Sequence, residues 1–211
     1  WNTIIIENAG YDLCDVDFDM LTGKGVIGGH TESIITTDNA GLSWTIQDDG
    51  WSMFYRRVQM VDGMQAQTYG KNMVGQSLIG FTTDWDYWDF SWFNVTYQPG
   101  IGESGSARDG YYFGEEDGYI IGFTDNPGTS PSGFLTSHYD WYNDFWPATE
   151  FPCPLEGIDF QGDYGMMVGG KYGETAYVTE TYDRGATWNE LPPAVHNIAF
   201  TKVQLVGNTG Y

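Results

Sequence analysis

Two segments mix aromatic rings with carboxylates at close spacing: DWDYWDFSW at 84–92 and HYDWYNDFWP at 138–147. Trp85, Tyr87 and Trp88 in the first, and Tyr139, Trp141 and Trp146 in the second, are the candidate ligand or partner contacts. Exposed rings stack on the apolar faces of sugars or on partner side chains, while neighbouring carboxylates bind hydroxyls. Two carboxylates facing each other across a cleft can also hydrolyse a glycosidic bond. A plainer reading has the same rings filling space between structural layers. Packing, contact and catalysis all stay open here, and no pair of acids is marked by a motif, so no catalytic residue is assigned.

The stretch CDVDFDM, 14–20, alternates Asp15, Asp17 and Asp19 with Cys14, Val16, Phe18 and Met20. On a strand the three acids share a face. Oxygen ligands suit Ca²⁺, so calcium is the one cofactor left open; otherwise none is expected. Acids spaced roughly 6–7 Å apart along one strand do not wrap an ion unaided, and the plainer reading is acids at a wet strand end. His30, His138 and His196 have neither i, i+4 nor His-x-His spacing, so zinc has little support and the metal question is otherwise unknown. There is no Gly-x-Ser-x-Gly elbow, phosphate loop or dinucleotide fingerprint.

Charge narrows the partners. Twenty-nine acids face eight bases, for a net charge of −21. Such a surface repels nucleic acid and anionic membranes, so no nucleic-acid partner is expected. No apolar run approaches the roughly 18 residues of a membrane span, so no transmembrane segment is expected. A Cys14–Cys153 bond would be worth about 4–5 kcal/mol in the chain-entropy model, but sequence does not show that the two meet. The sequence opens on Trp1 rather than Met, which suggests processing or a part of a larger chain or assembly.

The elements that must position these residues repeat. TYDRGATW at 181–188 matches TDNAGLSW at 37–44. TDNPGTSP at 124–131 ends on Pro131 instead of Trp, and TDWDYWDFSW at 83–92 has an insertion and no glycine. The closing positions Trp44, Trp92, Pro131 and Trp188 are 48, 39 and 57 residues apart, the range of a propeller blade. Before each motif come hydrophobic strands separated by glycine-bearing turns, as in GVIGGHTESIITTD (25–38) and GMMVGGKYGETAYVTETYD (165–183). Val, Ile, Tyr, Phe and Thr fill the strands, and no long window has a helical apolar period. The expected fold is an all-β propeller of four-stranded antiparallel blades at 14–50, 56–98, 108–137 and 153–192, with partial blades at 1–6 and 198–211. Four visible blades and two partial ends suggest a section of a six- to eight-bladed ring, with a five-bladed ring as the competing arrangement.

The repeat resembles the Asp-box, or BNR repeat, shared by sialidase, xyloglucanase, sortilin and photosystem assembly-factor propellers. Its pattern is most similar to the photosystem assembly-factor-like and secreted bacterial Asp-box propellers. Thr181, Asp183, Gly185, Thr187 and Trp188 match throughout; Thr37, Asn39, Gly41, Ser43 and Trp44, with Asp38 between the first two, match with Asn for Asp. Asp125, Asn126 and Gly128 belong to the copy without Trp. The resemblance implies a structural hairpin corner between the third and fourth strands of a blade, the acid bonding turn N–H groups and the Trp tucked beneath. It offers no arginine triad of the sialidase kind and no basic patch of the photosystem-factor kind. The function expected is a non-catalytic recognition or scaffolding propeller, extracellular or at the cell surface, binding a protein or glycan partner. The alternatives are a xyloglucanase-like glycoside hydrolase using two Asp/Glu carboxylates and an assembly factor for a membrane complex.

Overall fold

The structure, a computed structural model, describes residues 12–30, 34–47, 53–61, 65–72, 77–82, 88–92, 104–114, 117–125, 131–138, 148–171, 176–192, 198–207 and 209–210. All regular structure among them is β. The first sheet is β1 (Leu13–Asp19), β2 (Lys24–Gly29), β3 (Ile34–Thr37) and β4 (Thr45–Gln47). The second is β5 (Met53–Met60), β6 (Ala66–Asn72), β7 (Ser77–Thr82) and β8 (Trp88–Trp92). The third is β9 (Ser104–Gly114), β10 (Asp117–Asp125), β11 (Ser132–His138) and β12 (Ala148–Phe151). The fourth is β13 (Leu155–Gln161), β14 (Tyr164–Gly170), β15 (Ala176–Thr181) and β16 (Asn189–Glu190), followed by the hairpin β17 (Leu205–Val206) and β18 (Thr209–Gly210). Each four-stranded sheet is an antiparallel meander in chain order, the blade of a β-propeller, as the repeats imply. The chain divides into two compact units, Trp1–Asn94 with the first two blades and Val95–Tyr211 with the other two.

The third blade departs from expectation. It spans 104–151 rather than 108–137, and the turn at 124–131 joins its second and third strands instead of its third and fourth. Pro131 carries no N–H and the indole is missing, so no Trp-anchored corner forms. The Thr124 and Ser132 hydroxyls instead close that hairpin at 2.9 Å. The segment SGFLTSH becomes the third strand, and the fourth follows 139–147.

Every blade bulges its first strand. The register shifts between Leu13 and Asp15, between Tyr55 and Arg57, and between Leu155 and Gly157; on β9 it passes over Arg108. This makes Asp15, Arg57, Asp109 and Gly157 equivalent, and likewise Asp17, Gln59, Tyr111 and Asp159. The acid row read as a wet strand end is therefore a joint between blades. Asp15 accepts the Val58 N–H at 3.3 Å and Asp17 the Met60 N–H at 2.8 Å. In the second unit Asp109 accepts the Ile158 N–H at 3.1 Å, and Asp159 accepts that of Leu205 at 2.6 Å. The other oxygen of Asp17, Asp109 and Asp159 takes the N–H of the following residue. First-strand edges carry unpaired N–H groups, and a short acid from the neighbouring blade satisfies them. Asp19 does something else: it accepts the Leu21 N–H and the Thr22 hydroxyl, each at 2.8 Å, and these bonds hold its carboxyl below the ordinary range.

Apolar layers fill the space between blades. Val26, Ile34, Tyr55, Val58 and Ala66 form one, and Ile121, Leu135, Phe151, Leu155, Ile158, Phe160 and Met167 another.

The corners at 37–44 and 181–188 join third to fourth strands and are built alike. The Thr181 hydroxyl donates to Asp183 at 2.7 Å and accepts the Gly185 N–H at 2.9 Å. Asp183 then accepts the Thr187 N–H at 2.8 Å and its hydroxyl at 2.6 Å. Thr37, Asn39, Gly41 and Ser43 repeat the pattern, with the Asn39 amide donating to the Ser43 hydroxyl at 2.7 Å. Gly41 and Gly185 lie at φ +79° and +87°, where side chains are strained. A Cβ on Gly185 would also meet the Tyr119 ring of the third blade at 2.6 Å. Beneath the corners, Trp44 meets Phe18 edge-on at 5.7 Å and Trp188 meets Phe160 at 5.8 Å, both at 75°.

The residue that closes the corner is Asp183 in one copy and Asn39 in the other. Hydrogen bonds, first that of the Thr187 hydroxyl, hold the Asp183 carboxyl down at about 2. Its folded-state value lies below the unfolded one, so its contribution is present above about pH 4 and is lost as pH falls toward about 2. Asp183→Asn, which copies Asn39 and removes the charge, is expected to lower the neutral-pH melting temperature modestly and to flatten its fall over that acid window. A fall of wild-type size in the variant would remove Asp183 as its source.

Candidate functional site

Trp85, Tyr87, Tyr139, Trp141 and Trp146 lie outside the described residues, as do Asn126, Gly128 and His196. Trp88 opens β8, its backbone paired with Thr82, and Asp125 ends β10 opposite Ser104. His138 pairs with Gly118 across β10 and β11, and His30 sits edge-on to Phe54 at 5.2 Å.

The described charged groups act mainly as fastenings. The Arg184 guanidinium binds Asp117 at 2.8 Å and lies 4.0 Å above the Phe113 ring, while the Arg184 carbonyl accepts the Tyr119 hydroxyl at 2.9 Å. The fourth blade's corner is thus latched onto the third blade. Arg108 lies 3.4 Å from Glu156 and over Phe123. Asp19 and Asp183 are shifted down, opposite to what a general acid needs. Among the described residues no three His, Cys, Asp or Glu side chains are grouped to hold a metal. Burial pushes the Cys14 thiol up, away from the thiolate a nucleophile requires.

What stands out is an apolar corner on the first blade. Met20, Leu21 and Leu42 are 88%, 98% and 80% exposed. Two turns present them, and both are fixed by hydrogen bonds. Gly23 N–H bonds the Asp19 carbonyl at 2.9 Å, and Ala40 N–H bonds the Gly23 carbonyl at 2.7 Å, tying the hairpin turn to the Trp44 corner. The Asp19 carboxylate clamps the base of Leu21. The fourth blade keeps the same link, Arg184 N–H to the Asp163 carbonyl at 2.9 Å, yet displays Gln161, Gly162, Asp163 and Ala186 there. The scaffold is shared while the displayed chemistry differs. Asp19 and the exposed Asp38 rim the corner. Covering an exposed leucine side chain is worth about 1.5–3 kcal/mol, so this corner can drive association. Sequence reasoning passed over it; the available signal was Met-Leu where a hairpin turn ordinarily carries Asn, Asp or Gly.

A second surface feature lies on the fourth blade. The Tyr164 and Tyr182 rings are 5.1 Å apart at 44°, and both hydroxyls donate to one oxygen of Glu180, at 3.3 and 3.0 Å. The exposed Tyr182 ring beside a carboxylate is a small platform of the kind sugars stack on.

No protein-family model matches the chain, and no curated protein matches it. Among solved structures the chain is similar to YCF48 bound to D1 peptide, at 15% identity and a TM-score of 0.43, over 90% of this chain and 70% of that one.

Proposed function

We propose that the chain belongs to a non-catalytic recognition propeller of the Asp-box kind, secreted or displayed at a cell surface, whose partner is a protein docking on the apolar corner of the first blade. The observation that carries this reading is Leu21, almost wholly exposed on a turn that two other residues hold rigid. A rigid apolar display costs little ordering on binding. The acidic rim favours a segment carrying Lys or Arg beside its apolar anchors. The carboxylates at the blade joints are spent on backbone N–H groups, which favours binding over hydrolysis.

Selection from a displayed random-peptide library tests it. Binders are expected to combine apolar and basic residues and to lose at least about tenfold in affinity, about 1.4 kcal/mol, against Leu21→Ser/Leu42→Ser. Binders that ignore both substitutions, or an empty selection, would refute the corner as the site. A glycan partner is the second reading, favoured by the Tyr164–Tyr182 platform; glycan-array binding abolished by Tyr182→Ala would select it.

A further inference from the structure

The turn between β1 and β2 is two residues longer than its equivalent in the fourth blade. Asp19 pairs with Lys24 across four residues, Met20 to Gly23, whereas Gln161 pairs with Tyr164 across Gly162 and Asp163. The longer turn carries Met20 and Leu21, 88% and 98% exposed, in the corner that Leu42 completes. This exposure belongs to the rim position and does not depend on a neighbouring blade. On the fourth blade Phe160 is covered by Tyr119 of the third, yet Gln161, Gly162, Asp163 and Ala186 at the same corner are exposed.

Leu21 and Leu42 supply apolar area without sulfur, whereas Met20 adds a polarisable thioether in contact with water. Met60 and Met166 are half-buried, and Met167 is wholly buried. A peroxide therefore meets Met20 before these three. The sulfur lone pair attacks hydrogen peroxide, an S–O bond forms as the O–O bond breaks, and the departing hydroxide takes the hydroxyl proton to leave as water. The product is a polar, chiral sulfoxide set among leucines. The turn itself keeps its shape. It is held by the Asp19 carboxylate on the Leu21 N–H and the Thr22 hydroxyl, and by the Gly23 N–H on the Asp19 carbonyl, and the thioether is in none of these bonds. Oxidation thus changes what the corner displays and leaves the scaffold that displays it.

We propose that Met20 is a sulfoxidation site through which a peroxide weakens partner binding at the apolar corner; this rests on the corner being the docking site, as proposed above. Treatment of the folded chain with hydrogen peroxide tests it. Peptide mapping is expected to show sulfoxide at Met20 before Met60, Met166 and Met167. The oxidised chain is expected to melt near the wild-type temperature and to bind about tenfold more weakly a library-selected peptide that also responds to Leu21→Ser/Leu42→Ser. A pair of methionine sulfoxide reductases, one for each epimer, should restore the affinity. Met20→Leu, whatever its starting affinity, should hold it through the same treatment. Cys14, exposed on the same blade, is present in that variant too, so a loss caused by thiol oxidation would show there. Oxidation that reaches Met167 before Met20, an oxidised Met20 with unchanged affinity, or an equal loss in Met20→Leu would each overturn the proposal and leave the docking site standing. Peptides indifferent to Leu21→Ser/Leu42→Ser would remove the docking site and this inference with it.

Discussion

Phe160→Ala is expected to destabilise the second unit by about 4 kcal/mol, the upper part of the range for emptying a buried aromatic site. Four rings converge on Phe160: Tyr111 at 5.2 Å, Phe113 at 4.8 Å, Tyr119 at 5.7 Å and Trp188 at 5.8 Å. It sits over Gly165, whose missing Cβ would come within 2.4 Å of the ring. The site cannot collapse, because its walls come from two blades and the Trp188 corner. The first blade supplies the control. Phe18 has the same Trp partner and the same glycine, Gly25, but is only half-buried. Phe18→Ala is expected to cost about half as much, since less area leaves water. Urea unfolding of both variants decides it, and equal losses would mean that the inter-blade rings add nothing.

The second large effect is expected at Asp109. It is buried, and its two oxygens hold the Gly110 and Ile158 N–H groups at 3.0 and 3.1 Å. Asp109→Ala strands both donors between blades, at about 1–3 kcal/mol each, so about 2–6 kcal/mol together. Asp109→Asn keeps one acceptor oxygen and should lose about half of that. The order wild type, Asn, Ala in urea midpoint is the readout. An alanine variant as stable as wild type would show that the carboxylate's burial costs as much as its bonds return.

These two sites differ in how far sequence reveals them. The Trp44 and Trp188 corners were legible because acid, glycine, hydroxyl and indole are local and keep fixed offsets. The Asp joints were not, since Asp15 becomes equivalent to Asp109, and Asp17 to Asp159, only once the bulge after Leu13, at Arg108 and after Leu155 sets the register. Nothing local in ARDGYYF resembles CDVDFDM. The third blade was mis-bounded for a related reason. The TDNPG run looks like a corner by composition, but without an indole beneath it the turn falls one hairpin earlier. Of the candidate contacts, the six aromatics were chosen for composition, whereas the Met20, Leu21 and Leu42 corner depends on two turns meeting through the Ala40–Gly23 bond, a contact across 17 residues that no short motif encodes.

The central claim is that aspartates on the first strands β1, β9 and β13 stitch each to the first strand that follows it. Amide hydrogen exchange by NMR tests it most directly. The Val58, Met60, Ile158 and Leu205 amides, whose acceptors are the carboxylates of a neighbouring blade, are expected to exchange slowly, and the Val16 amide quickly. Of these four, Asp159→Ala should release Leu205 alone. If those four amides exchange as fast as Val16, the blades are not joined in this way.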